Sequence, residues 1–393
     1  KSPSSSVILP EPEINKLRLV RVLSRQIVQT KGKIFEKCSG IFLLHMLPDL
    51  PPFLKAFETL GLDPSKSIIY YKRYPYNNKN QTIAVLQKLG YQLEEMENRE
   101  KTLPKFLERI GNKQKVFILE DGGYIGPLLH KLDNTPWSQI SGAVEQTERG
   151  VRMYEKLPTL KIPVAPVARS GLKDRQEPPH IGRTIIDNIG RLLKGTNLSG
   201  NRCLVIGYGR IGESVCASAR DHGMVVSVYD SDRGALAKAA QTGYNTHSDL
   251  RTLLSDAQIV IGTTGNESLG KEHILSLKHG AVLVSGSSGQ YEIGIEALEI
   301  LSSKQVVKDI GTEYTLEKED RALLLLGDGY PINFVAADSI ADEAIDPVLA
   351  ALFITSVSMI LEPPANGVQL DWTNTVISKY ELENLFFELY FSK

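Results

Sequence analysis

One ten-residue segment, 203–212, constrains the fold of this 393-residue chain more than any other feature. It reads Cys-Leu-Val-Ile-Gly-Tyr-Gly-Arg-Ile-Gly, an apolar strand followed by a Gly-x-Gly-x-x-Gly turn and the start of a helix. In such a turn Gly207 permits the tight bend, Gly209 lets a pyrophosphate approach the backbone, and Gly212 lets the helix pack closely on the strand. The unpaired N–H groups at the helix N-terminus favour the phosphates. The segment therefore predicts a dinucleotide-binding unit.

An acidic residue stands where such a unit needs one. The next predicted strand ends at Tyr229-Asp230, about 20 residues further on, where a carboxylate accepts hydrogen bonds from the adenosine ribose. That carboxylate would repel a 2′-phosphate, so the sequence predicts NAD rather than NADP, although Arg233 lies close by. The predicted cofactor-binding residues of this region are Gly207, Gly209, Arg210, Ile211, Gly212, Asp230 and, at a later strand end, Thr263, Thr264, Gly265 and Asn266.

Composition excludes several other classes of protein. The chain is 42% hydrophobic and 23% charged, which is typical of a globular protein, and its net charge of -1 provides no overall field for nucleic acid or an anionic membrane. Its three cysteines lack paired or metal-ligand spacing, so we expect neither a disulfide framework nor a metal site. No apolar run reaches the ~20 residues that span a bilayer, and the richest, 347–361, is predicted to be a buried helix. We expect a cytoplasmic protein with a small-molecule ligand.

Strands alternate with helices in two series along the chain. The first series has predicted strands at 40–44, 67–71 and 115–119, and the second at 203–206, 225–229, 259–261, 281–284 and 306–308. This alternation predicts parallel α/β layers. The proline-rich stretch 158–179 lies between the series and is predicted to be an extended crossing, with a helix resuming near Gly182.

Five further motifs occur in a fixed order around the glycine-rich turn. They are Leu-Leu-His-Met at 43–46, Glu-Asp-Gly-Gly at 120–123, Gly-Ala-Val-Glu-Gln-Thr-Glu-Arg-Gly at 142–150, Ser-Gly-Leu-Lys at 170–173 and Leu-Leu-Gly-Asp-Gly-Tyr-Pro-Ile-Asn at 325–333. This order resembles the S-adenosylhomocysteine hydrolase family. The resemblance implies an α/β fold of two lobes: a substrate domain split between 12–181 and a helical segment 337–393, and a Rossmann NAD-binding domain inserted at 182–336.

The resemblance also implies a chemistry and residues for it. Enzymes of that family hold NAD tightly, oxidise the ribose 3′-hydroxyl of a nucleoside, eliminate homocysteine, add water and reduce the ketone again. By match, His45 and Asp121 are acid/base or polarising groups, and Lys173 assists removal of the 3′-hydroxyl proton. Thr147 and Asn333 are expected to bind NAD, and Glu145 and Gln146 the substrate. The family forms oligomers, so a homodimer or homotetramer is expected.

Several departures from the family fall at the expected catalytic centre. Ser288 and Ile340 stand where the family has histidines, and Gln146 replaces a carboxylate. The Asp-Asn pair expected after the lysine is missing, which leaves Asp174 or Glu177 as the available carboxylates. The segment 381–393 offers no clear equivalent of the family's Lys- and Tyr-bearing tail, for which Tyr390 and Lys393 are poor candidates.

Three hypotheses of function follow from these matches and departures. The first is an adenosylhomocysteinase-like enzyme that uses bound NAD to oxidise a hydroxyl of a nucleoside-like or other small substrate, with or without elimination and hydrolysis. The second is an inactive relative that binds NAD or a nucleoside as a regulator, which Ser288 and Ile340 favour. The third is an NAD-dependent dehydrogenase of another small molecule.

Overall fold

The computed structural model describes residues 16–317, 321–337 and 340–392, and these divide into two compact units. The first unit consists of the described residues within Lys1–Arg73, Asn78–Glu177 and Ala341–Lys393. The second is built from those of Tyr74–Asn77 and Pro178–Ile340. The sequence did not indicate that the short segment Tyr74–Asn77 would belong to the second unit.

The N-terminal part of the first unit alternates strands with helices, as the sequence predicts. Residues of its central strands are buried on both faces, which is why they form nearly continuous apolar runs. Its elements are α1 (Arg18–Lys31), β1 (Cys38–Leu43), α2 (Leu50–Thr59), β2 (Ile68–Tyr71), α3 (Lys79–Leu89), β3 (Gln92–Glu95), α4 (Arg99–Ile110), β4 (Lys115–Glu120), α5 (Gly126–Leu129), β5 (Ile140–Glu145), α6 (Glu148–Glu155), β6 (Pro163–Pro166) and α7 (Gly171–Gln176).

The second unit holds the glycine-rich turn between its first strand and the following helix. Its elements are α8 (Pro178–Leu192), β7 (Arg202–Ile206), α9 (Arg210–Asp221), β8 (Val225–Tyr229), α10 (Arg233–Gln241), β9 (Asn245–Thr246), α11 (Leu250–Leu254), β10 (Ile259–Gly262), α12 (Lys271–Ile274), β11 (Val282–Ser285), α13 (Ile295–Leu301), β12 (Ser302–Lys308), β13 (Gly311–Leu316) and β14 (Arg321–Leu326). Over the described residues they form a sheet in the order β12-β13-β14-β11-β10-β7-β8-β9, parallel except for the pairs that β13 makes.

The C-terminal segment returns to the first unit. It contributes α14 (Asp342–Leu361), β15 (Gly367–Val368), α15 (Leu370–Lys379) and α16 (Leu382–Tyr390). Strand β15 pairs with β6, so the first sheet has the order β15-β6-β5-β4-β1-β2-β3 with all neighbours parallel in the part of the chain that is described. By length and hydropathy alone α14 could cross a membrane, but 89% of its most apolar 18-residue window is buried inside the protein. The predicted buried helix is confirmed.

The prediction of an extended crossing over 158–179 is wrong for most of that stretch. Only β6 is extended; α7 and the start of α8 follow it. Helix α8 begins at Pro178 rather than near Gly182 because a proline in the first helical turn loses no hydrogen bond and already has a helical φ. The Ser170 side chain starts α7 by accepting a hydrogen bond from the backbone N–H of Lys173.

Candidate functional site

The first sheet collects polar side chains along one edge. Strands β5, β4, β1 and β2 are neighbours in the sheet and end in register, since Leu43 pairs with both Tyr70 and Glu120. The residues just beyond these strand ends are His45, Lys72, Asp121 and Gln146. Ligands of open parallel sheets bind at the carboxyl ends of the strands. The candidate substrate site therefore lies at this edge of the first unit.

A buried cluster of three ionisable groups forms the centre of this edge. His45 Nε2 lies 3.0 Å from one carboxylate oxygen of Asp121, and Lys72 Nζ donates a hydrogen bond to the other. The side chains of Lys72 and Asp121 are each only 2% exposed. The structure thus brings together the predicted pair His45 and Asp121 and adds Lys72, which the sequence analysis missed. The available signal was a polar residue placed directly after an apolar parallel strand.

Burial and the neighbouring charges determine the protonation of this cluster. Burial has the largest effect on the pKa of His45 and lowers it below the usual value. The Lys72 and Lys173 ammonium groups also lower this pKa, whereas the Asp121 carboxylate raises it. Burial alone would raise the pKa of Asp121, but His45 and Lys72 together hold it well below its usual range. His45 is therefore neutral and Asp121 ionised near neutral pH. Because a carboxylate only accepts hydrogen bonds, the ring proton lies on Nε2 and Nδ1 is the basic nitrogen.

Lys173 is held at the same edge by two acceptors. Its Nζ donates to the backbone carbonyl of Gln146 at 2.6 Å and lies 3.1 Å from Glu177 Oε2. Its charge also lowers the pKa of His45, so the two side chains are within electrostatic range. Of the two carboxylates that the sequence left open, the structure pairs Lys173 with Glu177, one helical turn further along, while the backbone N–H of Asp174 donates to Ser170.

Glu145, predicted to bind substrate, is fully buried beneath the loop that follows β4. Its carboxylate accepts hydrogen bonds from the backbone N–H groups of Gly122 at 3.0 Å, Gly123 at 2.9 Å and Thr147 at 2.7 Å. Burial, and after it the charge of nearby Glu120, raises its pKa well above the usual value. These contacts give Glu145 the geometry of a support for the loop that carries Asp121.

Gln146 and Thr147, the two residues after Glu145, make different contacts. Thr147 donates its hydroxyl to Glu145 at 2.8 Å and accepts from the backbone N–H of Gly150 at 3.0 Å, which starts α6. Gln146 is 8% exposed and its carbonyl receives Lys173. Thr147 therefore acts as a helix cap in the structure, and its predicted contact with NAD stays a prediction.

The glycine-rich turn of the second unit has the geometry that a dinucleotide requires. Gly207 has φ +99°, and a Cβ at Gly212 would lie 1.9 Å from the Gly207 carbonyl oxygen, so both positions need glycine for the fold itself. A Cβ at Gly209 would meet nothing within 4 Å. Gly209 therefore leaves open space at the start of α9, where Arg210 and Ile211 form the first turn. Asp230 Oδ2 accepts a hydrogen bond from the Tyr208 N–H at 2.6 Å, directly beside the turn.

A second loop of the same unit, after β10, is tied to the turn and to a buried carboxylate. The Thr263 hydroxyl donates to the Gly207 carbonyl at 2.9 Å. The Thr264 hydroxyl and the Gly265 N–H donate to Glu292 at 2.9 and 2.6 Å. Glu292 is fully buried, which raises its pKa, and the sequence analysis did not single it out. The two other predicted residues of this unit differ: Asn266 is exposed beside Thr264, and Asn333 is buried.

The departures from the family also have defined places. Ser288 Oγ lies 3.2 Å from the Tyr291 hydroxyl, and its carbonyl accepts a hydrogen bond from the Tyr74 hydroxyl at 3.0 Å, all within the second unit. Ile340 is half-buried. The Tyr390 hydroxyl donates a hydrogen bond to the buried Asp346 carboxylate at 2.6 Å, which links α16 to α14 within the first unit. Lys393 lies outside the described residues.

The chain is similar in sequence to several known proteins. The family model for the NAD binding domain of S-adenosyl-L-homocysteine hydrolase matches residues 181–339. Adenosylhomocysteinase of Aeropyrum pernix is 30% identical over 61% of this chain and 58% of its own length. Adenosylhomocysteinase of Thermotoga maritima is 31% identical, over 65% and 64%. S-inosyl-L-homocysteine hydrolase of Methanocaldococcus jannaschii is 28% identical, over 72% and 70%.

The glycine-rich turn, the parallel sheets and the matching domain define an NAD-binding α/β protein of the Rossmann type. The chain spans less than two thirds of the length of the Aeropyrum and Thermotoga proteins that it matches. Residues 181–339 match the NAD binding domain of the S-adenosyl-L-homocysteine hydrolase family, and over more than half of its length the chain is similar to the adenosylhomocysteinases named above. NAD is its cofactor. Across the ranges that the structure describes, no group of three or more His, Cys, Asp or Glu is arranged to hold a metal ion.

Proposed function

We propose that this protein uses bound NAD to oxidise a hydroxyl group of a nucleoside-like substrate. The observation that carries the proposal is two pairs of proton-handling groups at one sheet edge, His45 with Asp121 and Lys173 with Glu177, in which Asp121 and Lys173 are buried and their partners partly buried. The names of the relatives support a nucleoside, because each names an adenosyl or inosyl derivative of homocysteine. NAD supplies the hydride acceptor when it is bound.

The residues of the first unit supply the proton chemistry in this proposal. Lys173 assists removal of the hydroxyl proton, and the carbonyl of Gln146 together with Glu177 orients its Nζ. Neutral His45 can accept a proton at Nδ1, and the Asp121 carboxylate stabilises the imidazolium that results. Lys72 keeps Asp121 ionised for that purpose.

The residues of the second unit are proposed to hold the cofactor. The open space at Gly209 admits the pyrophosphate, and the carboxylate of Asp230 receives the adenosine ribose hydroxyls. Thr263 and Thr264 position the loop after β10, through the Gly207 carbonyl and Glu292 respectively. These roles require no movement of the glycine backbone, since its φ angle and close contacts already have the required form.

A second candidate function is binding of NAD and a nucleoside without turnover. Ser288 favours it, because a serine hydroxyl cannot replace a histidine as a proton donor and acceptor near neutral pH. In this alternative the first unit still recognises the nucleoside, and no reduced nicotinamide forms. A dehydrogenase of a different small alcohol would form reduced nicotinamide with that alcohol and not with nucleosides.

One experiment separates these functions. The protein is purified without added cofactor, NAD is released with acid and quantified, and the intact protein is mixed with adenosine, S-adenosylhomocysteine and simple alcohols while the absorbance of reduced nicotinamide is followed. Lys173→Met should lower the rate of reduction at least about 100-fold, roughly 2.8 kcal/mol in the barrier, with NAD content unchanged. The exposed Lys156→Met in the same unit is the matched control.

Three results would overturn parts of the proposal. An unchanged rate in Lys173→Met removes that residue from the chemistry. No reduction with any compound, in protein that carries stoichiometric NAD, removes the oxidation itself and favours the binding protein. Reduction with simple alcohols alone favours the dehydrogenase.

A further inference from the structure

Two buried carboxylates lie side by side beneath the candidate substrate site. Glu120 is the last residue of β4 and Glu145 the last residue of β5, and they are direct partners in the parallel pairing of these strands. Partner residues of neighbouring strands point to the same face of a sheet. Both side chains are fully buried. We call Glu120 and Glu145 the carboxylate pair.

The carboxylate pair accepts the N–H groups of a whole loop. Five consecutive backbone N–H groups, those of residues 122–126, donate hydrogen bonds to it. The first two donate to Glu145 at 3.0 and 2.9 Å, and the next three donate to Glu120 at 2.6, 2.8 and 3.0 Å. Buried backbone N–H groups need an acceptor, and here two side chains provide it for the entire loop. The carboxylate pair therefore fixes the path of the chain directly after Asp121.

Other groups hold the carboxylate pair in turn. Glu145 also accepts the N–H of Thr147 at 2.7 Å and its hydroxyl at 2.8 Å, and Glu120 accepts the hydroxyl of Tyr154. A Cβ at Gly150 would lie 2.0 Å from the Glu145 carboxyl carbon, so α6 approaches this closely only because it has glycine there. Because a carboxylate only accepts hydrogen bonds, an amide of the same size cannot replace either side chain without leaving N–H groups unpaired.

The loop sets the position of Asp121. The Asp121 N–H donates to the Leu43 carbonyl at 2.9 Å, and the next residue, Gly122, is bound to the carboxylate pair. With its backbone held on both sides, Asp121 presents one carboxylate oxygen to His45 Nε2 at 3.0 Å. The orientation of the His45 ring therefore depends on the carboxylate pair through Asp121.

The carboxylate pair also holds the residue that receives Lys173. Gln146 lies between Glu145 and Thr147, which are bonded to each other, and its own N–H donates to the Glu120 carbonyl at 3.0 Å. The Gln146 carbonyl in turn accepts Lys173 Nζ at 2.6 Å. Both sets of proton-handling groups in the proposed function are thus attached to backbone that the carboxylate pair positions.

The arrangement has an energetic cost. Two carboxylates at adjacent positions repel each other, and burial removes the solvent that would screen them. Burial, and after it the charge of Glu120, raises the pKa of Glu145 well above the usual value. Buried groups with perturbed pKa values cluster at functional sites. A surface loop, by contrast, can leave its N–H groups to water without this cost.

We propose that Glu120 and Glu145 are positioning residues for the proton chemistry of the first unit. They hold the backbone so that Asp121 keeps the His45 ring oriented and the Gln146 carbonyl keeps Lys173 in place. Both carboxylates are fully buried, so this role is indirect, unlike the substrate contact that the sequence analysis expects for Glu145. The catalytic consequence rests on the proposed function, whereas the effect on His45 does not.

The first test uses wild-type protein loaded with NAD and measures amide hydrogen exchange by NMR. The five amides of residues 122–126 lie in a loop, yet they should exchange at least about 100-fold more slowly than the amides of the exposed turn 133–134. Exchange as fast as in that turn would overturn the proposal. This measurement does not depend on whether any variant folds.

The second test follows the proton NMR signal of the His45 Nε2–H, which is assigned from its absence in His45→Gln. In wild-type protein the bond to Asp121 should protect this proton from exchange with water. Glu120→Gln and Glu145→Gln should each increase its exchange rate at least about tenfold. The matched control is Asp346→Asn, which changes a buried carboxylate that accepts backbone N–H groups of α1 in the same unit, and it should leave the signal unchanged.

Activity provides a further readout. With a substrate that reduces NAD, Glu120→Gln and Glu145→Gln should each lower kcat at least about tenfold while KM changes less than about threefold and NAD content stays the same. Misplaced groups slow the chemical step more than they weaken binding. Asp346→Asn should keep the wild-type kcat.

A His45 signal that survives unchanged in both carboxylate variants would overturn the proposal, as would an equal loss in Asp346→Asn, which would indicate general destabilisation. The proposed function fails differently. If both variants release the His45 proton but no nucleoside reduces NAD, the positioning stands and the oxidation does not. If a nucleoside reduces NAD and the two variants keep both the signal and the rate, the oxidation stands and the positioning does not.

Discussion

Gly209 and Gly212 belong to the same glycine-rich turn, yet the structure predicts opposite consequences for a side chain at each. A Cβ at Gly209 meets nothing within 4 Å, and its φ of −77° is open to any residue. Gly209→Val should therefore change the stability of the cofactor-free protein by about 1 kcal/mol or less, the usual cost at a helix N-cap. The added methyl groups would fill the space that a pyrophosphate needs.

At Gly212 the obstacle is the protein itself. A Cβ there would lie 1.9 Å from the Gly207 carbonyl oxygen and 2.8 Å from Thr263 Oγ1, so backbone must move. Overpacking of this kind costs about 3 kcal/mol. At roughly 2–4 °C per kcal/mol for a unit of this size, Gly212→Ala should lower the melting temperature of the cofactor-free protein by about 6–12 °C.

The assay combines two measurements on each variant: the NAD released by acid, and the melting temperature after NAD has been removed, since bound ligand itself raises that temperature. Gly209→Val should weaken NAD binding at least 100-fold, about 2.8 kcal/mol, with little change in melting. The control is Gly190→Ala in helix α8. Its Cβ would lie 3.4 Å from the Leu198 side chain, an ordinary contact distance, and the variant should keep NAD. Retention of wild-type NAD content by Gly209→Val would refute the assignment of the turn.

Three further predictions concern buried charges of the first unit. Lys72→Met leaves Asp121 buried with only a neutral histidine, which should lower the free energy of unfolding in denaturant by about 3–5 kcal/mol; a loss below 1 kcal/mol would contradict the ion pair. Because burial lowers the pKa of His45, protons bind the unfolded chain more readily, so stability should fall as the pH drops below about 6.5. His45→Gln should reduce the dependence of the melting temperature on pH over that range. An unaltered pH profile in this variant would contradict the role given to His45. The buried Asp346 carboxylate accepts hydrogen bonds from the Leu19 N–H at 2.6 Å and from the Tyr390 hydroxyl. Asp346→Asn weakens these bonds and should lower the free energy of unfolding in denaturant by about 1–3 kcal/mol.

The cofactor site could be predicted from sequence because its requirements are local. Gly207, Gly209 and Gly212 lie within six residues. The fold itself requires glycine at Gly207 and Gly212, and Gly209 leaves open the space that a pyrophosphate needs. The strands before and after the turn are predicted within one residue of their observed ends. Glu292, which holds the second loop of the unit, lies 27 residues from its partner Gly265, and no local pattern indicates that contact.

The substrate edge depends on longer-range contacts. Lys72 and Asp121 are 49 residues apart, and they meet because β2 and β4 flank β1, an order that the sequence alone does not reveal. The choice between Asp174 and Glu177 stayed open for a different reason. The prolines favoured an extended chain over this stretch, and only a helix places Glu177 one turn beyond Lys173.

In the proposed function the NAD of this protein accepts hydride from a hydroxyl of the substrate, and the family resemblance implies the ribose 3′-hydroxyl. The most direct measurement is the absorption spectrum of NAD-loaded protein mixed with adenosine, with its 5′-monophosphate, and with the 3′-deoxy form of each. Oxidation at the 3′ position predicts the band of reduced nicotinamide with the compounds that have a 3′-hydroxyl and no band with the 3′-deoxy forms. A band of equal size with both forms would contradict the 3′ assignment. No band with any of the four, while they bind, would contradict the proposed function itself.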